Sequence, residues 1–201
     1  MHSMEKPQLV FVHGGDALRD SEKLYALLRS RTFNPYETRQ KWQEVLFEHL
    51  RTTYECHRLE MPNKYWADYE AWKIWFEKMV PFLREKVVLV GHSLGGGFLF
   101  RYLSENALPV TVSQIHLIAP VILPMADCDG FYIDTKNWTG FMSTVLRIHV
   151  WHSADDTIVP ITHSEALITR DESIVFHHFT DRFHFIGDTF PELVTAIEMG
   201  K

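Results

Sequence analysis

The stretch "VVLVGHSLGG", residues 87–96, decides how this chain is read. It opens with a β-branched apolar run, passes through Gly-His-Ser-Leu-Gly and closes on a further glycine. A serine at the end of a buried strand adds little to a core, because a hydroxyl is costly to bury without a hydrogen bond. The pattern Gly-x-Ser-x-Gly between a strand and a helix has a steric meaning instead. The chain must turn from strand to helix within a few residues, with Ser93 at the apex and its side chain clear of the sheet. A Cβ at position 91 or 95 would crowd that turn. Gly96 and Gly97 let the following helix pack close, and its free N–H groups point at the same place. Taken alone, the stretch also fits a Gly-Ser turn with no chemistry.

Strand-like and helix-like segments alternate on both sides of it. Strands are expected at "LVFVHGG" (9–15), "CHRLEMP" (56–62), "KVVLVGHS" (86–93), "VSQIHLIAPV" (112–121), "VLRIHVWHS" (145–153) and "SIVFHHFT" (173–180). Helices are expected between them. "SEKLYALLRS" (21–30) places Leu24, Leu27 and Leu28 on one face. Residues 34–54 carry Trp42, Val45, Leu46 and Leu50 at helical spacing. Residues 68–83 carry Tyr69, Trp72, Phe76, Met79, Val80 and Leu83 on one stripe. "GGGFLFRYLSEN" (95–106), "PITHSEALITRD" (160–171) and "FPELVTAIEM" (190–199) complete the set. The alternation predicts βαβ units: an α/β fold with a mainly parallel sheet of about six strands and helices on both faces. The strands are apolar runs, as a sheet covered on both faces requires. No repeat or linker interrupts residues 1–201, so one domain is expected. Residues 127–144 are polar, glycine-containing and aromatic. They are expected to form an excursion over the sheet edge, too short for a large lid, with Phe131, Tyr132 and Trp138 as pocket-wall candidates.

The chain has 201 residues, 46% apolar and 23% charged, with a net charge of −6. That length supports a sizeable core. The negative balance argues against general nucleic-acid binding, which needs a basic patch. No stretch approaches the ~18 apolar residues of a membrane span. The opening "MHSMEKPQLV" lacks the apolar run of a signal peptide. Two isolated thiols, Cys56 and Cys128, fit a reducing compartment, so a cytoplasmic location is expected. Twelve histidines raise the question of a metal. No HExxH or comparable helical pair is present, and neither a metal nor a cofactor is expected.

A serine nucleophile needs a base and an orienting carboxylate. In open α/β sheets such groups gather beyond the C-terminal ends of strands. "VLRIHVWHSADDTIVP" ends in Asp155 and Asp156, and "SIVFHHFTDRFHF" leads to His184 on a loop before the last helix. The order Ser…Asp…His is the one this kind of fold uses. His177 and His178 lie within a strand, where a structural role is commoner. His92 adjoins Ser93 and cannot easily fold back onto it. Asp181 is closer in sequence to His184 but reads as a turn residue. Tyr65, Trp66, Tyr69, Trp72, Trp75 and Phe76 read mainly as core, with Trp66 and Trp75 off the main stripe.

In this arrangement the chain resembles the α/β-hydrolases, and more narrowly the small lidless serine hydrolases of the retinoblastoma-binding-protein-nine and YdeN type. "FVHGG", "LEMPN", a Trp-containing helix, "LVGHSLGG", "HSADDTIVP" and "FTDRFHF" occur in that family's order. The resemblance implies an Asp-x-x-Val-Pro register, which Val159 and Pro160 assign to Asp156 rather than Asp155. It implies an oxyanion hole from the backbone N–H groups of Leu94 and Gly15, with Asp16 next; for His13 the plain alternative is a hydrogen-bonded residue bracing the loop. One departure is Phe183, where the family usually has Gly before the histidine, a bulk expected to reshape the pocket near the base. The expected activity is serine hydrolysis of a small-molecule ester, thioester or amide through Ser93, His184 and Asp156. A binding protein that has kept the fold without turnover is the alternative from another class, and other chemistry at the same serine is a third.

Overall fold

The computed structural model describes residues 5–36, 41–134, 136, 138, 141 and 145–200. Six strands form one parallel sheet: β1 (Gln8–Val12), β2 (Glu55–Leu59), β3 (Val87–His92), β4 (Val112–Ile118), β5 (Ile148–Ser153) and β6 (Val175–Phe179). Their order is β2-β1-β3-β4-β5-β6. Six α-helices are described: α1 (Ser21–Ser30), α2 (Trp42–Leu50), α3 (Tyr69–Glu77), α4 (Leu94–Glu105), α5 (Thr162–Ile168) and α6 (Pro191–Met199). The expected α/β-hydrolase architecture is therefore present.

The apolar runs cover both faces because alternate residues point opposite ways. Val10 and Val12 of β1 and Val87 and Leu89 of β3 pack with Trp72, Phe76 and Phe98 of α3 and α4. Leu9 and Phe11, with Val88 and Val90, pack on the other face with Trp42 and Leu46 of α2 and Leu193 and Ile197 of α6.

Three local expectations are refined. Helix α1 has no buried residue; Tyr25 is 46% and Leu28 50% exposed. A cap and a tertiary ion pair hold it: Asp20 accepts from the Glu22 N–H at 2.8 Å, and Lys23 pairs with Asp127 at 2.8 Å. Helical spacing reports a face, not whether anything covers it. Second, the helix expected to reach Leu83 ends at Glu77, and a 3₁₀ turn follows at Val80–Phe82. Pro81 has no N–H to continue the α-helical ladder, and the amides of Lys78 and Met79 already bond back only three residues. The helical reading of residues 34–54 likewise narrows to α2, with 37–40 outside the described residues.

Third, Phe131 and Trp138 of the excursion belong to the core. Phe131 meets Trp72 edge-on at 5.0 Å, and Trp138 meets Phe100 at 5.2 Å. Both are buried, with Cys128, Ile133 and Phe141. Helices α3 and α4 leave apolar surface uncovered beyond the sheet, and large rings bury more area there than they would in an open cleft. Tyr132 is half-buried. Residues 135, 137, 139–140 and 142–144 lie outside the described set.

Candidate active site

The sheet order places the site. The chain leaves β1 toward β2 on one side, and β3 lies on the other. Loops after β1 and β3 therefore diverge, and a crevice opens beyond their C-terminal ends. The "HGG" segment and Ser93 both fall there.

Ser93 has φ 55° and ψ −121°, a backbone state that side-chain-bearing residues seldom adopt. Surrounding bonds hold it. Its N–H donates to the Ile118 carbonyl at 2.8 Å, and its carbonyl accepts from Gly96 and Gly97 at 3.0 and 3.1 Å. The flanking glycines are sterically required. A Cβ on Gly91 would lie 2.7 Å from the Gly95 carbonyl oxygen, and one on Gly95 would collide with the carbonyls of Val12 and His13. Cβ contacts that short would force the backbone to move.

Asp156 and His184 meet at this end. His184 Nδ1 and Asp156 Oδ2 are 2.8 Å apart. Asp156 Oδ1 accepts from the N–H groups of Ile158 at 2.8 Å and Val159 at 3.0 Å. Burial opposes ionisation of this carboxyl, but His152, His184 and the Val159 amide outweigh it and hold the group well below the usual carboxylate range. An ionised Asp156 makes Nδ1 the protonated nitrogen of His184, leaving Nε2 as the ring's acceptor. His184 and Ser93 line one cleft of about 330 Å³.

Neighbouring groups fix the His184 loop, and sequence reasoning missed them. Asp155 Oδ1 accepts from the Phe183 N–H at 2.9 Å and from the Ser153 hydroxyl. Ser153 Oγ in turn accepts from the Arg182 N–H at 3.0 Å. His92 Nε2–H donates to the His184 carbonyl at 3.0 Å, and the Trp42 indole N–H donates to the Phe185 carbonyl at 2.7 Å. Burial, with His184 beside it, pushes His92 down to about 3, so it is neutral near pH 7. His152 is fully buried, with Nε2 2.9 Å from the Val159 carbonyl and 3.5 Å from Asp156 Oδ2. A buried polar group needs such partners. That was the available signal, but it names no partner.

Phe183 does not reshape the cleft. It has φ 49° and lines a separate cavity of about 300 Å³ with Trp42, Phe185 and Phe190. Phe183 is thus a bulky side chain held in the left-handed region.

The expected oxyanion loop lies against the serine. A Cβ on Gly14 would sit 3.0 Å from that of Ser93, and one on Gly15 would strike the Lys64 carbonyl. The Asp16 and Ala17 amides are taken, by Lys64 and Asp127 carbonyls at 2.7 Å each. The Gly15 amide has no such backbone acceptor among the described residues, and Leu94 opens α4, where an amide has no intrahelical partner. His13 braces the loop: Nδ1–H donates to the Gly14 carbonyl at 2.7 Å, and Nε2 accepts from the Met61 N–H at 2.8 Å.

Three other histidines, His116, His149 and His177, form a row across one sheet face. His149 stacks on His116 at 4.6 Å, its Nδ1 lies 3.0 Å from His177 Nε2, and His177 stacks on Trp151 at 3.5 Å. Among the described residues, no group of three or more His, Cys, Asp and Glu is placed to hold a metal ion. Cys56 and Cys128 are free thiols, and no described helix is long and apolar enough to cross a membrane.

The serine hydrolase family profile matches residues 35–177. The chain belongs to the serine hydrolase family. That match includes Ser93 and Asp156 and stops short of His184. This serine hydrolase is similar to the rat serine hydrolase RBBP9, with 23% identity over 149 residues, 72% of this chain and 77% of the relative. Its fold is that of the ydeN gene product of B. subtilis, at a TM-score of 0.76 and 20% identity, covering 97% of this chain and 98% of that one. It also resembles a monoacylglycerol lipase of Paleococcus ferrophilus, at a TM-score of 0.63 and 15% identity, covering 98% and 95% of the two chains.

Proposed function

We propose that this serine hydrolase is carboxylesterase-like and cleaves a small-molecule ester, thioester or amide through Ser93, His184 and Asp156. The supporting observation is the 2.8 Å His184–Asp156 contact at the cleft that Ser93 lines. His184 Nε2 takes the hydroxyl proton as Ser93 Oγ attacks the substrate carbonyl carbon. Asp156 stabilises the imidazolium and does not itself take the proton. The Leu94 and Gly15 amides receive the negative charge that develops on the carbonyl oxygen. The tetrahedral intermediate collapses, the leaving group departs with the proton from His184, and an acyl-Ser93 ester remains. Water, deprotonated by His184, then attacks the acyl carbon and releases the acid. Each step uses only these groups, so the reading assigns no metal or cofactor. The two free thiols support a reducing, cytoplasmic setting.

Intact-mass measurement after exposure to a fluorophosphonate tests this reading. One phosphonyl adduct is expected on the wild type, and none on Ser93→Ala. A Ser93→Ala protein that still hydrolyses esters would overturn it.

A further inference from the structure

Among the described residues, the cleft carries an uneven charge. Arg31, Lys41, Arg58 and Lys64 line it, against the carboxylates of Asp16 and Glu60. On a chain of net charge −6, such a surplus of cations is a local departure from the average. Arg58 is answered by Glu60 at 2.8 Å. Arg31 is the charge acting most strongly on Asp16. Lys41 and Lys64 have no carboxylate partner among the described residues.

Both lysines come from well-placed backbone. The Lys64 carbonyl accepts from the Asp16 N–H at 2.7 Å, which ties this residue to the loop against Ser93. Lys41 precedes α2, and its own N–H is taken by Glu44 at 3.2 Å. Among the described residues, the apolar side chains lining the cleft are chiefly Phe11, Tyr65 and Ile158. Charges of one sign around a concave site focus their field on it and raise the local concentration of the opposite charge.

We propose that the cleft selects esters whose acyl or leaving group carries a carboxylate, held at the mouth by Lys41 and Lys64 while Ser93 attacks the ester carbonyl. The proposal rests on the serine hydrolase reading above and adds a substrate class to it.

Two matched pairs of substrates test it. The acyl pair is mono-4-nitrophenyl glutarate against its neutral methyl ester. The leaving-group pair is 4-carboxyphenyl butyrate against the corresponding methyl benzoate ester. Each kcat/KM is divided by the substrate's own hydroxide-catalysed rate. The anionic member is expected to be preferred by about tenfold in one pair at low salt, the scale of two exposed ion pairs. The preference is expected to shrink at 0.5 M salt, where charges farther apart than about 4–5 Å are screened. The double variant Lys41→Glu, Lys64→Glu, with its melting temperature measured, is expected to abolish or reverse the preference; Lys78→Glu, outside the cleft, should retain it. A ratio at or below one in both pairs, or a preference that survives reversal of both lysines, overturns the proposal while neutral-ester turnover keeps the hydrolase reading. Absence of both turnover and fluorophosphonate labelling overturns the hydrolase reading, and this proposal with it.

Discussion

Replacing Asp156 by Asn keeps the side chain's shape and changes which atom faces His184. Two backbone amides, from Ile158 at 2.8 Å and Val159 at 3.0 Å, point at Oδ1. Only the carboxamide oxygen can accept from them, so the NH₂ group must occupy the position of Oδ2. That position lies 2.8 Å from His184 Nδ1. A donor there requires Nδ1 to be an acceptor, and the ring proton moves to Nε2. The imidazole then offers Ser93 an N–H where it needs a lone pair. The same change of tautomer lowers kcat about 10⁴-fold in the best-studied serine protease, equivalent to about 5 kcal/mol of barrier. Asp155→Asn is the matched control, since its carboxamide oxygen can still accept from Phe183 and Ser153. The assay is the rate of fluorophosphonate labelling by intact mass, beside ester turnover under saturating substrate. Asp156→Asn is expected to lose about four orders of magnitude and Asp155→Asn less than one. An Asp156→Asn enzyme within tenfold of wild type, or equal losses at the two positions, would refute the assignment of roles.

Other outcomes follow from the same contacts. Ser93→Gly removes a side chain from a backbone state that costs on the order of 1–3 kcal/mol, so it should melt a few degrees above Ser93→Ala while both lose labelling; a lower melting point for the glycine variant would show the turn is unstrained. Gly95→Ala should destabilise the protein by about 2 kcal/mol or more despite alanine's helix propensity, because its Cβ meets the Val12 and His13 carbonyls; Gly187→Ala, with open space around it, serves as the tolerant comparison. Stability should also fall in acid. Burial holds His149 down to about 4 and lowers His116 and His177 as well, whereas an unfolded histidine takes its proton near ~6.5. The unfolded state therefore binds more protons between those values, and the urea midpoint should drop as pH falls from about 6.5 to about 4. His149→Gln should flatten that slope, and an unchanged slope would remove the histidine row as its cause.

The serine elbow was legible because its constraints are local. Ten consecutive residues contain the strand, the glycines whose Cβ atoms would collide and the helix start, so "VVLVGHSLGG" nearly dictates its own geometry. The parallel sheet was legible for a related reason, since apolar runs alternating with helical periodicity leave few ways to cover both faces. Periodicity was less informative about α1, whose apolar face is only partly covered, and about the rings of the excursion, which fill space left by α3 and α4. Which of two adjacent carboxylates meets His184 could be placed in sequence only through resemblance to a family. In the structure both are engaged, Asp156 with the ring and Asp155 with the backbone that carries it. Nothing in the sequence marked His92, Ser153 and Asp155 as one support for the His184 loop, because their bonds to His184, Arg182 and Phe183 join residues far apart in the chain. The cleft's charge is the most tertiary property of all. Arg31, Lys41, Arg58 and Lys64 come from separate segments between β1 and α3, and a sum of charges over the chain gives the opposite sign. Sequence determines what each segment can do within the reach of its own backbone; which side chains share a dielectric and a hydrogen-bond network is decided where the segments converge.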